Sequence, residues 1–249
     1  MIVSRRALIG TLATAPLLAA CDRLGEAEPV RRVLFSAEDA HRFLQRSLTD
    51  RAALAREFPA AEMSPVFRTN GTSNPNTPEY QALAANRFAD WRLTVDGLVA
   101  RPIRLSLAEL RTMPTRSQIT RHDCVEGWSA IGQWHGVPLR LLLDRAGLRS
   151  QARYVVFHCA DRYGARPYYE SLDLVDAFHP QTILAWGMNG GLLDIGHGAP
   201  LRLRAEKHLG YKHAKYVMRV EAVDSLARVH GGKGGLWEDL AGYEWYAGI

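Results

Sequence analysis

Cys124 is the residue of this sequence that could take part in the widest range of chemistry. It stands in the segment 119–138, ITRHDCVEGWSAIGQWHGVP, directly after Arg121, His122 and Asp123. A cationic neighbour favours the thiolate, which is the form of cysteine that attacks electrophiles or binds metals. The residues alone leave three roles open for Cys124: a nucleophile, a single thiolate ligand of a metal, or an inert thiol in the core.

Two common kinds of cysteine site find no support around Cys124. A zinc site needs further Cys or His ligands at short spacing, and neither a C-x-x-C motif nor such a ligand set stands nearby. A cysteine peptidase carries its own local signature and a partner histidine, and neither can be recognised here.

The glycine-rich segment 231–235, GGKGG, lacks the Lys-Ser or Lys-Thr ending of a phosphate-binding loop.

A set of motifs around and beyond Cys124 forms a recognisable pattern. Its members are R-x-x-C-V-E-x-W-S at 121–129, W-x-G-x-P-L at 134–139, YVVF at 154–157, HP-x-TIL at 179–184, GAPLR at 198–202 and GYK-x-x-K at 210–215. The pattern covers residues 70–223 and resembles the molybdopterin-binding domain of the sulfite oxidase family, most closely its bacterial periplasmic methionine-sulfoxide reductase branch. The resemblance implies an α+β fold, with mixed sheets and short helices in a single domain.

The resemblance also implies a molybdenum-molybdopterin cofactor and assigns residues to it. Cys124 matches the thiolate that binds molybdenum, and a soft thiolate suits a metal that passes two electrons. Arg121 matches a position three before that ligand and is expected to steer substrate to the metal as a catalytic residue, with a structural, salt-bridged arginine as the alternative. The residues that match cofactor-binding positions are Asn70, Cys159, His197, Arg202, His213, Ala214 and Lys215.

At two of these cofactor-binding positions the residue differs from that of a close relative. His197 stands where a close relative has Asn, and Cys159 stands where it has Thr, although both side chains can still form hydrogen bonds. Arg202 and Lys215 are the cations expected to hold the phosphate of the pterin. His213 and Ala214 match positions where the family uses backbone amides, while an alternative for Asn70 is a simple Asn-Gly turn.

The composition indicates a globular chain and argues against a nucleic-acid partner. The sequence has 249 residues, 47% hydrophobic and 23% charged, with a net charge of +5. Its basic residues are scattered rather than collected in a tract, and pI alone is weak support for nucleic-acid binding. The 3 cysteines are too few for a disulfide-scaffolded fold.

Local signals predict short helices and unevenly spaced strands, which is typical of an α+β domain. A capping box at Ser36 predicts the start of an amphipathic helix, and Pro138 and Gly147 frame a helix over 139–146. The segment 64–77 is rich in Pro, Asn, Ser, Thr and Gly and predicts a long functional loop. Further expected elements are a helix starting at Ser106, another over 171–177, and strands over 91–99, 154–159, 182–186, 201–204 and 215–223.

The N-terminus has the pattern of an export signal. Arg5 and Arg6 precede a short apolar stretch, which resembles a twin-arginine signal, and 18–21, LAAC, resembles a lipoprotein box. These motifs predict a leader over 1–20, a lipid anchor on Cys21 and a periplasmic, membrane-anchored enzyme. The domain expectation is therefore leader 1–20, tether and N-terminal helix 21–60, and molybdopterin-binding domain 61–249.

The expected function is periplasmic oxygen-atom transfer that reduces an S- or N-oxide, either a small molecule or protein-bound. A sulfite-type dehydrogenase working in the opposite direction is the alternative, and a metal-free binding module of the same fold is a second one. The sequence has no C-x-x-C-H motif for covalent haem. We therefore expect electrons to come from a separate membrane cytochrome or quinone-linked partner.

Overall fold

The computed structural model describes residues 27–249, which belong to two units that divide between Thr49 and Asp50. The predicted leader 1–20, with Arg5 and Arg6, and the predicted lipid anchor Cys21 lie outside the described residues. Within residues 27–249, no helix combines the length and the apolar character needed to cross a membrane.

The described part of the first unit is helix α1, Glu28–Leu48. The predicted start of this helix at Ser36 is wrong, because the helix already begins beside Pro29, a residue that suits the first helical turn. Ser36 lies inside the helix, where its hydroxyl donates to the carbonyl oxygen of Val33 at 2.7 Å.

The second unit begins earlier than the predicted domain boundary at residue 61. The backbone N–H of Phe58 donates to the carbonyl oxygen of Ile119 at 2.9 Å, and Glu57 forms a bridge with Thr120. Residues 50–60 therefore belong to the larger unit, Asp50–Ile249, and not to a tether.

Short helices and ten strands make up the second unit. In chain order these are α2 Pro78–Ala85, β1 Arg92–Gly97, β2 Ile103–Ser106, α3 Leu107–Thr112, β3 Arg116–Cys124, β4 Trp128–Pro138, α4 Leu139–Ala146, β5 Tyr154–Tyr163, β6 Arg166–Asp173, α5 Leu174–Ala177, β7 Ile183–Met188, β8 Gly191–Leu192, β9 Arg202–Arg204, β10 Val217–Val223 and α6 Leu236–Ala241. Single 3₁₀ turns lie at Ala60–Glu62 and Gly210–Lys212.

Two sheets organise these strands. The first has the order β2-β1-β10-β5-β6, in which β1 and β10 are parallel and the other pairs antiparallel. The second has the order β3-β4-β7-β8, and β9 also pairs with β7. The pairing of strands distant in sequence with short helices between them confirms the predicted α+β class.

The main core lies where the first sheet meets α4. Leu93 and Val95 of β1 are fully buried and belong to one cluster with Leu142 and Leu143 of α4. The strand residues recur at every second position, and the buried residues of α4 recur at spacings of three and four, which is how each element presents apolar side chains to a core. The core fixes the sheet from which several residues of the site project.

Two helices follow their local sequence signals closely. Ser106 and Glu109 form the capping box that begins α3, because each side chain accepts from the backbone N–H of the other. Helix α4 runs from Leu139 to Ala146 between Pro138 and Gly147, as predicted. The helix predicted over 171–177 is only partly correct, because β6 extends to Asp173, whose side chain then caps α5.

Candidate active site

Cys124 is the last residue of β3, at the turn of the hairpin that joins β3 to β4. The backbone N–H of Gly127 donates to the carbonyl oxygen of Cys124 at 3.0 Å and closes this turn. Gly127 has φ +83°, in the left-handed region that glycine adopts without steric cost. The hairpin therefore presents the thiol at the end of a sheet rather than inside it.

The Cys124 turn opens onto a cavity of about 360 Å³. The cavity, here called the Cys124 cavity, collects residues from five separate stretches of the chain. Its lining residues are Asn70, Gly71, Thr72, Cys124, Val125, Glu126, Asp161, Arg162, Tyr163, Tyr168, Gly210, Tyr211, His213, Lys215, Leu236, Trp237 and Tyr243. Cys124, Asn70, His213 and Lys215 are thus the predicted site residues that the fold brings together.

Arg121 does not reach this cavity. Successive side chains of a strand point to opposite faces, so residues three apart, such as Arg121 and Cys124, lie on different faces of β3. The Arg121 side chain is 57% exposed and forms an ion pair with Asp123 at 2.9 Å. The structure therefore disagrees with the expectation that Arg121 faces substrate.

The thiol of Cys124 also lacks the cationic neighbour expected from the sequence. Burial raises the pKa of Cys124, the backbone N–H of Glu126 lowers it, and the nearby Glu126 carboxylate raises it again. The net direction of the pKa is upward, chiefly because the thiol is partly buried, and the Glu126 carboxylate adds to this effect. The free thiol is therefore held mainly in its neutral form.

Lys215 joins the loop that carries Asn70 to the rest of the site. Its Nζ atom donates to the backbone carbonyls of Asn70 at 2.6 Å and Gly196 at 3.0 Å, and also to that of Thr72. Burial and the charge of Arg202 lower the pKa of Lys215 to about 7, whereas Asp161 acts in the opposite direction. Three acceptors satisfy all N–H groups of an ammonium, so this lysine fixes the cavity wall.

Asn70 lies in the long irregular segment predicted over 64–77. Gly71 follows it with φ +55°, so the Asn-Gly turn is present together with the position at the cavity. The Oδ1 atom of Asn70 is buried and has no hydrogen-bond partner among residues 27–249. An acceptor in this condition is costly unless a ligand supplies a donor.

His213 is a cavity-lining residue with a buried imidazole. Its Nε2 atom faces the carbonyl oxygens of Ala205 at 3.0 Å and His208 at 3.1 Å, so Nε2 carries the proton. Burial, followed by the charge of Arg204, lowers the pKa of His213 well below its usual value, which keeps the ring neutral. The buried Nδ1 atom is therefore a hydrogen-bond acceptor, and it has no partner within the described part of the chain.

The backbone amides of His213 and Ala214 are already engaged. The N–H of His213 donates to the carbonyl of Gly210 at 3.1 Å, and that of Ala214 donates to Lys212 at 3.1 Å. Ala214 is buried and is not among the cavity-lining residues. The expectation that these two amides serve a ligand therefore does not agree with the structure.

Arg202 is fully buried behind the cavity wall. Its guanidinium carbon lies 4.8 Å from the ring centre of Trp134, and Nη1 donates to the carbonyl of His197 at 3.0 Å. Burial and the nearby Arg204 lower the pKa of Arg202 to about 9. Its Nε atom is buried and without a hydrogen-bond partner among residues 27–249, so one donor is available on this cation.

His197 and Cys159 lie away from the Cys124 cavity. The Nδ1 atom of His197 contacts Asp194 at 2.8 Å and Nε2 contacts the carbonyl oxygen of Phe67 at 3.1 Å, so both ring nitrogens already have hydrogen-bond partners within the chain. Cys159 lines a separate cavity of about 210 Å³ beside Tyr80. Burial raises its pKa well above the usual value, which makes it a poor nucleophile.

Asp161 is a cavity residue that the sequence did not indicate. It is 3% exposed, and its Oδ1 atom is buried without a hydrogen-bond partner in the described residues. Burial raises the pKa of Asp161 to about 6, although a hydrogen bond from Thr72 and the charge of Lys215 act to lower it. The only available signal was its place two residues beyond Cys159 on the same strand.

Gly210, a cavity-lining residue, packs directly against the buried His122 of β3. A Cβ atom on Gly210 would lie 2.5 Å from Cε1 of His122, closer than packed atoms can come. His122 accepts a hydrogen bond from Nη1 of Arg204 at 3.0 Å, and burial lowers its pKa well below the usual value. A glycine is therefore required at position 210.

The chemistry of the cavity is that of a site for a large polar group with many N–H donors. Its buried acceptors without partners are Oδ1 of Asn70, Oδ1 of Asp161 and Nδ1 of His213, while Cys124 supplies one thiol. Across residues 27–249, no group of three or more His, Cys, Asp and Glu side chains is placed to hold a metal ion. The set of acceptors present fits a pterin, whose ring N–H groups can donate to these three atoms.

Comparison with known families gives one consistent match. The sequence profile described as "Oxidoreductase molybdopterin binding domain" matches residues 80–229. Among known structures, the sulfane dehydrogenase SoxCD of Paracoccus pantotrophus is similar with a TM-score of 0.51 and 24% sequence identity, over 55% of this chain and 39% of that one. This structural likeness concerns the fold.

Named relatives also match over long stretches. A protein of Azospira oryzae, named as a candidate protein-methionine-sulfoxide reductase subunit YedZ1, is 37% identical over 238 residues, which cover 96% of this chain and 84% of the relative. The protein-methionine-sulfoxide reductase catalytic subunit MsrP of Xanthomonas campestris is 35% identical over 175 residues, 66% of this chain and 52% of the relative. The match thus spans about half the length of the Xanthomonas protein.

Proposed function

The chain belongs to the family of the oxidoreductase molybdopterin binding domain, and we propose that it binds molybdenum-molybdopterin and reduces methionine sulfoxide in proteins. Two electrons and two protons convert the sulfoxide to a thioether and water. The names of the Azospira and Xanthomonas relatives support this substrate class.

One observation carries the proposal. The thiol of Cys124 lines the same cavity as three buried acceptors that have no partner among residues 27–249, on Asn70, Asp161 and His213. Leaving such groups unpaired costs on the order of 1–3 kcal/mol each. Their concentration around one thiol is accounted for by a ligand that combines N–H donors with a thiolate-binding metal.

Each residue has a distinct part in holding the cofactor. Cys124 provides the thiolate ligand, and the acceptors of Asn70, Asp161 and His213 orient the pterin. Lys215 fixes the loop that contains Asn70, while Arg202 is a fully buried cation that offers its Nε donor to negative charge. When bound, the cofactor supplies the two-electron chemistry of oxygen-atom transfer.

A sulfite-type dehydrogenase remains the second candidate, and an assay separates the two. Holoenzyme, expressed with cofactor supply, is tested with reduced dye plus an oxidised methionine peptide, and with sulfite plus an electron acceptor. We expect about one molybdenum per chain and peptide reduction. Sulfite turnover without peptide reduction favours the dehydrogenase, and metal-free protein without either activity favours a binding module.

We also propose export by the twin-arginine pathway and lipid anchoring at Cys21, which bring the enzyme to a membrane cytochrome or quinone-linked electron partner. Arg5, Arg6 and the LAAC sequence at 18–21 support this location. Replacing both arginines by Lys should retain precursor in the cytoplasm, and Cys21→Ala should release the mature protein from membranes. Unchanged fractionation of both variants would contradict the location.

A further inference from the structure

The C-terminal segment contributes to the Cys124 cavity although it lies outside the family match. That match ends at residue 229, yet Leu236, Trp237 and Tyr243 all line the cavity. Leu236 and Trp237 begin α6, and Tyr243 follows its last turn. The C-terminal segment therefore supplies part of the cavity wall from beyond the matched residues, as the Asn70 loop does from before residue 80.

The C-terminal segment brings aromatic rings to the cavity, and these contact rings of the matched domain. Trp237 and Tyr243 are stacked with centroids 6.1 Å apart, and Tyr163 at the end of β5 lies 5.2 Å from Trp237. Tyr211 meets Tyr243 edge to face at 5.0 Å. We call Tyr163, Trp237 and Tyr243 the aromatic wall.

Hydrogen bonds fix the segment that carries this wall. The carboxylate of Asp239 accepts from the hydroxyl of Tyr169 at 2.5 Å and from the backbone N–H of Gly231 at 2.9 Å. Trp245 donates to the hydroxyl of Ser171 at 2.8 Å. These contacts attach the segment to β6, so the rings have a defined position before any substrate arrives.

Part of the wall is open to solvent on the side of the Cys124 turn. Tyr163 is 59% exposed and Tyr243 is 36% exposed, and Val125, directly after Cys124, is 44% exposed. A side chain that enters the cavity from solvent therefore meets apolar and aromatic surface from Val125, Tyr163 and Tyr243. The deeper lining, with Asn70, Asp161 and His213, is polar and serves the cofactor.

We propose that the aromatic wall is the substrate-specificity element of this enzyme and receives the side chain of an oxidised methionine presented by a polypeptide. This inference rests on the proposed function. Sulfur groups make favourable contacts with ring edges, and the methyl and methylene groups of methionine bury apolar surface against rings. A small sulfoxide such as dimethyl sulfoxide lacks the methylene chain and the peptide backbone, so it gains less from the wall.

Steady-state kinetics of molybdenum-loaded variants test this assignment. We expect Trp237→Ala and Tyr243→Ala each to raise KM for an oxidised methionine peptide about tenfold, the scale of one lost aromatic contact. The value of kcat, the molybdenum content and KM for dimethyl sulfoxide should change less than about twofold. The inhibition constant of the reduced peptide should rise in parallel with KM, because the thioether side chain uses the same wall.

Further variants keep the test independent of folding. Trp237→Phe retains a ring and should restore most of the affinity, whereas Trp237→Leu retains apolar volume without a ring and should not. Leu192→Ala, an exposed truncation in a different groove, is the control and should leave KM unchanged. The assignment is overturned if molybdenum-loaded Trp237→Leu and Tyr243→Ala keep the wild-type KM for the peptide. It is also overturned if KM rises equally for the peptide and for dimethyl sulfoxide. Loaded wild-type enzyme that reduces no peptide overturns the proposed function instead.

Discussion

The Nζ atom of Lys215 lies 2.6 Å from the carbonyl oxygen of Asn70, across 145 positions of sequence. The same ammonium contacts the carbonyls of Thr72 and Gly196, so one side chain closes an irregular loop onto the residues before β10. The loop has few regular hydrogen bonds of its own, and the position of Asn70 in the cavity depends on this lysine.

We expect Lys215→Met to lower the free energy of unfolding by about 3 kcal/mol, because three hydrogen bonds from one buried amino group are lost together. Molybdenum content should fall as well, since Asn70 loses its position. Urea unfolding and metal analysis check both effects. Lys233→Met, at an exposed lysine, is the control, and equal stability of the two variants would contradict the anchoring role.

Cys124→Ser should remove molybdenum and lower activity more than about a hundredfold, because ligand loss exceeds the usual cost of altering residues around a metal site. Cys159→Ser is the matched control, since its thiol lines a different cavity. It should retain the metal and turnover. Loss of molybdenum in both variants, or in neither, would show that Cys124 is not the distinguishing ligand.

Arg121→Gln should keep both molybdenum and activity within about twofold, the range of a surface ion-pair change. The side chain is mostly exposed and pairs with Asp123 on the face of β3 opposite Cys124. Turnover measured with an oxidised methionine peptide checks this expectation. A hundredfold loss of rate with the metal retained would restore the role in substrate binding that the sequence suggested.

The difference over Arg121 shows where sequence reasoning succeeds and where it stops. Helix α4 could be predicted because Pro138 and Gly147 are local signals at its two ends. Strand β4 was not predicted, because small residues such as Ala130 and Gly132 occupy buried positions and hide the apolar alternation. Without β3 and β4 as strands, nothing indicated that Arg121 and Cys124 point to opposite faces.

The remaining part of the site depends on tertiary contacts that no local pattern encodes. Cys124, Lys215 and the Asn70 loop could be found, since they lie in motifs of a known family. Asp161 and Trp237 come to the cavity through the pairing of β5 and the attachment of the C-terminal segment to β6. Neither contact leaves a short-range signal in the sequence.

Lys212→Met should lower the free energy of unfolding by about 4 kcal/mol, because it leaves two carboxylates buried without their cation. The Nζ atom of Lys212 lies 2.5 Å from Glu170 and 2.8 Å from Glu238, and all three side chains are almost completely buried. Urea unfolding of Lys212→Met measures the effect. Adding Glu170→Gln to that variant should restore part of the loss, and a double variant no more stable than Lys212→Met would argue against a charge effect.

Asp161→Asn should change how the stability of the cofactor-free protein depends on pH. Burial raises the pKa of Asp161 from 3.8 to about 6, so between these values the folded state binds more protons than the unfolded state. The free energy of unfolding therefore falls as pH rises through this window, by about 3 kcal/mol for the whole shift.

Urea unfolding from pH 4 to pH 7 provides the measurement for Asp161. The Asn variant should lack this fall, while Asp144→Asn, on the exposed face of α4, should keep it. Identical pH profiles for wild type and Asp161→Asn would mean that Asp161 does not titrate in this range. In cofactor-loaded protein the fall should be smaller, because an N–H donor directed at Oδ1 stabilises the carboxylate and brings its pKa back down.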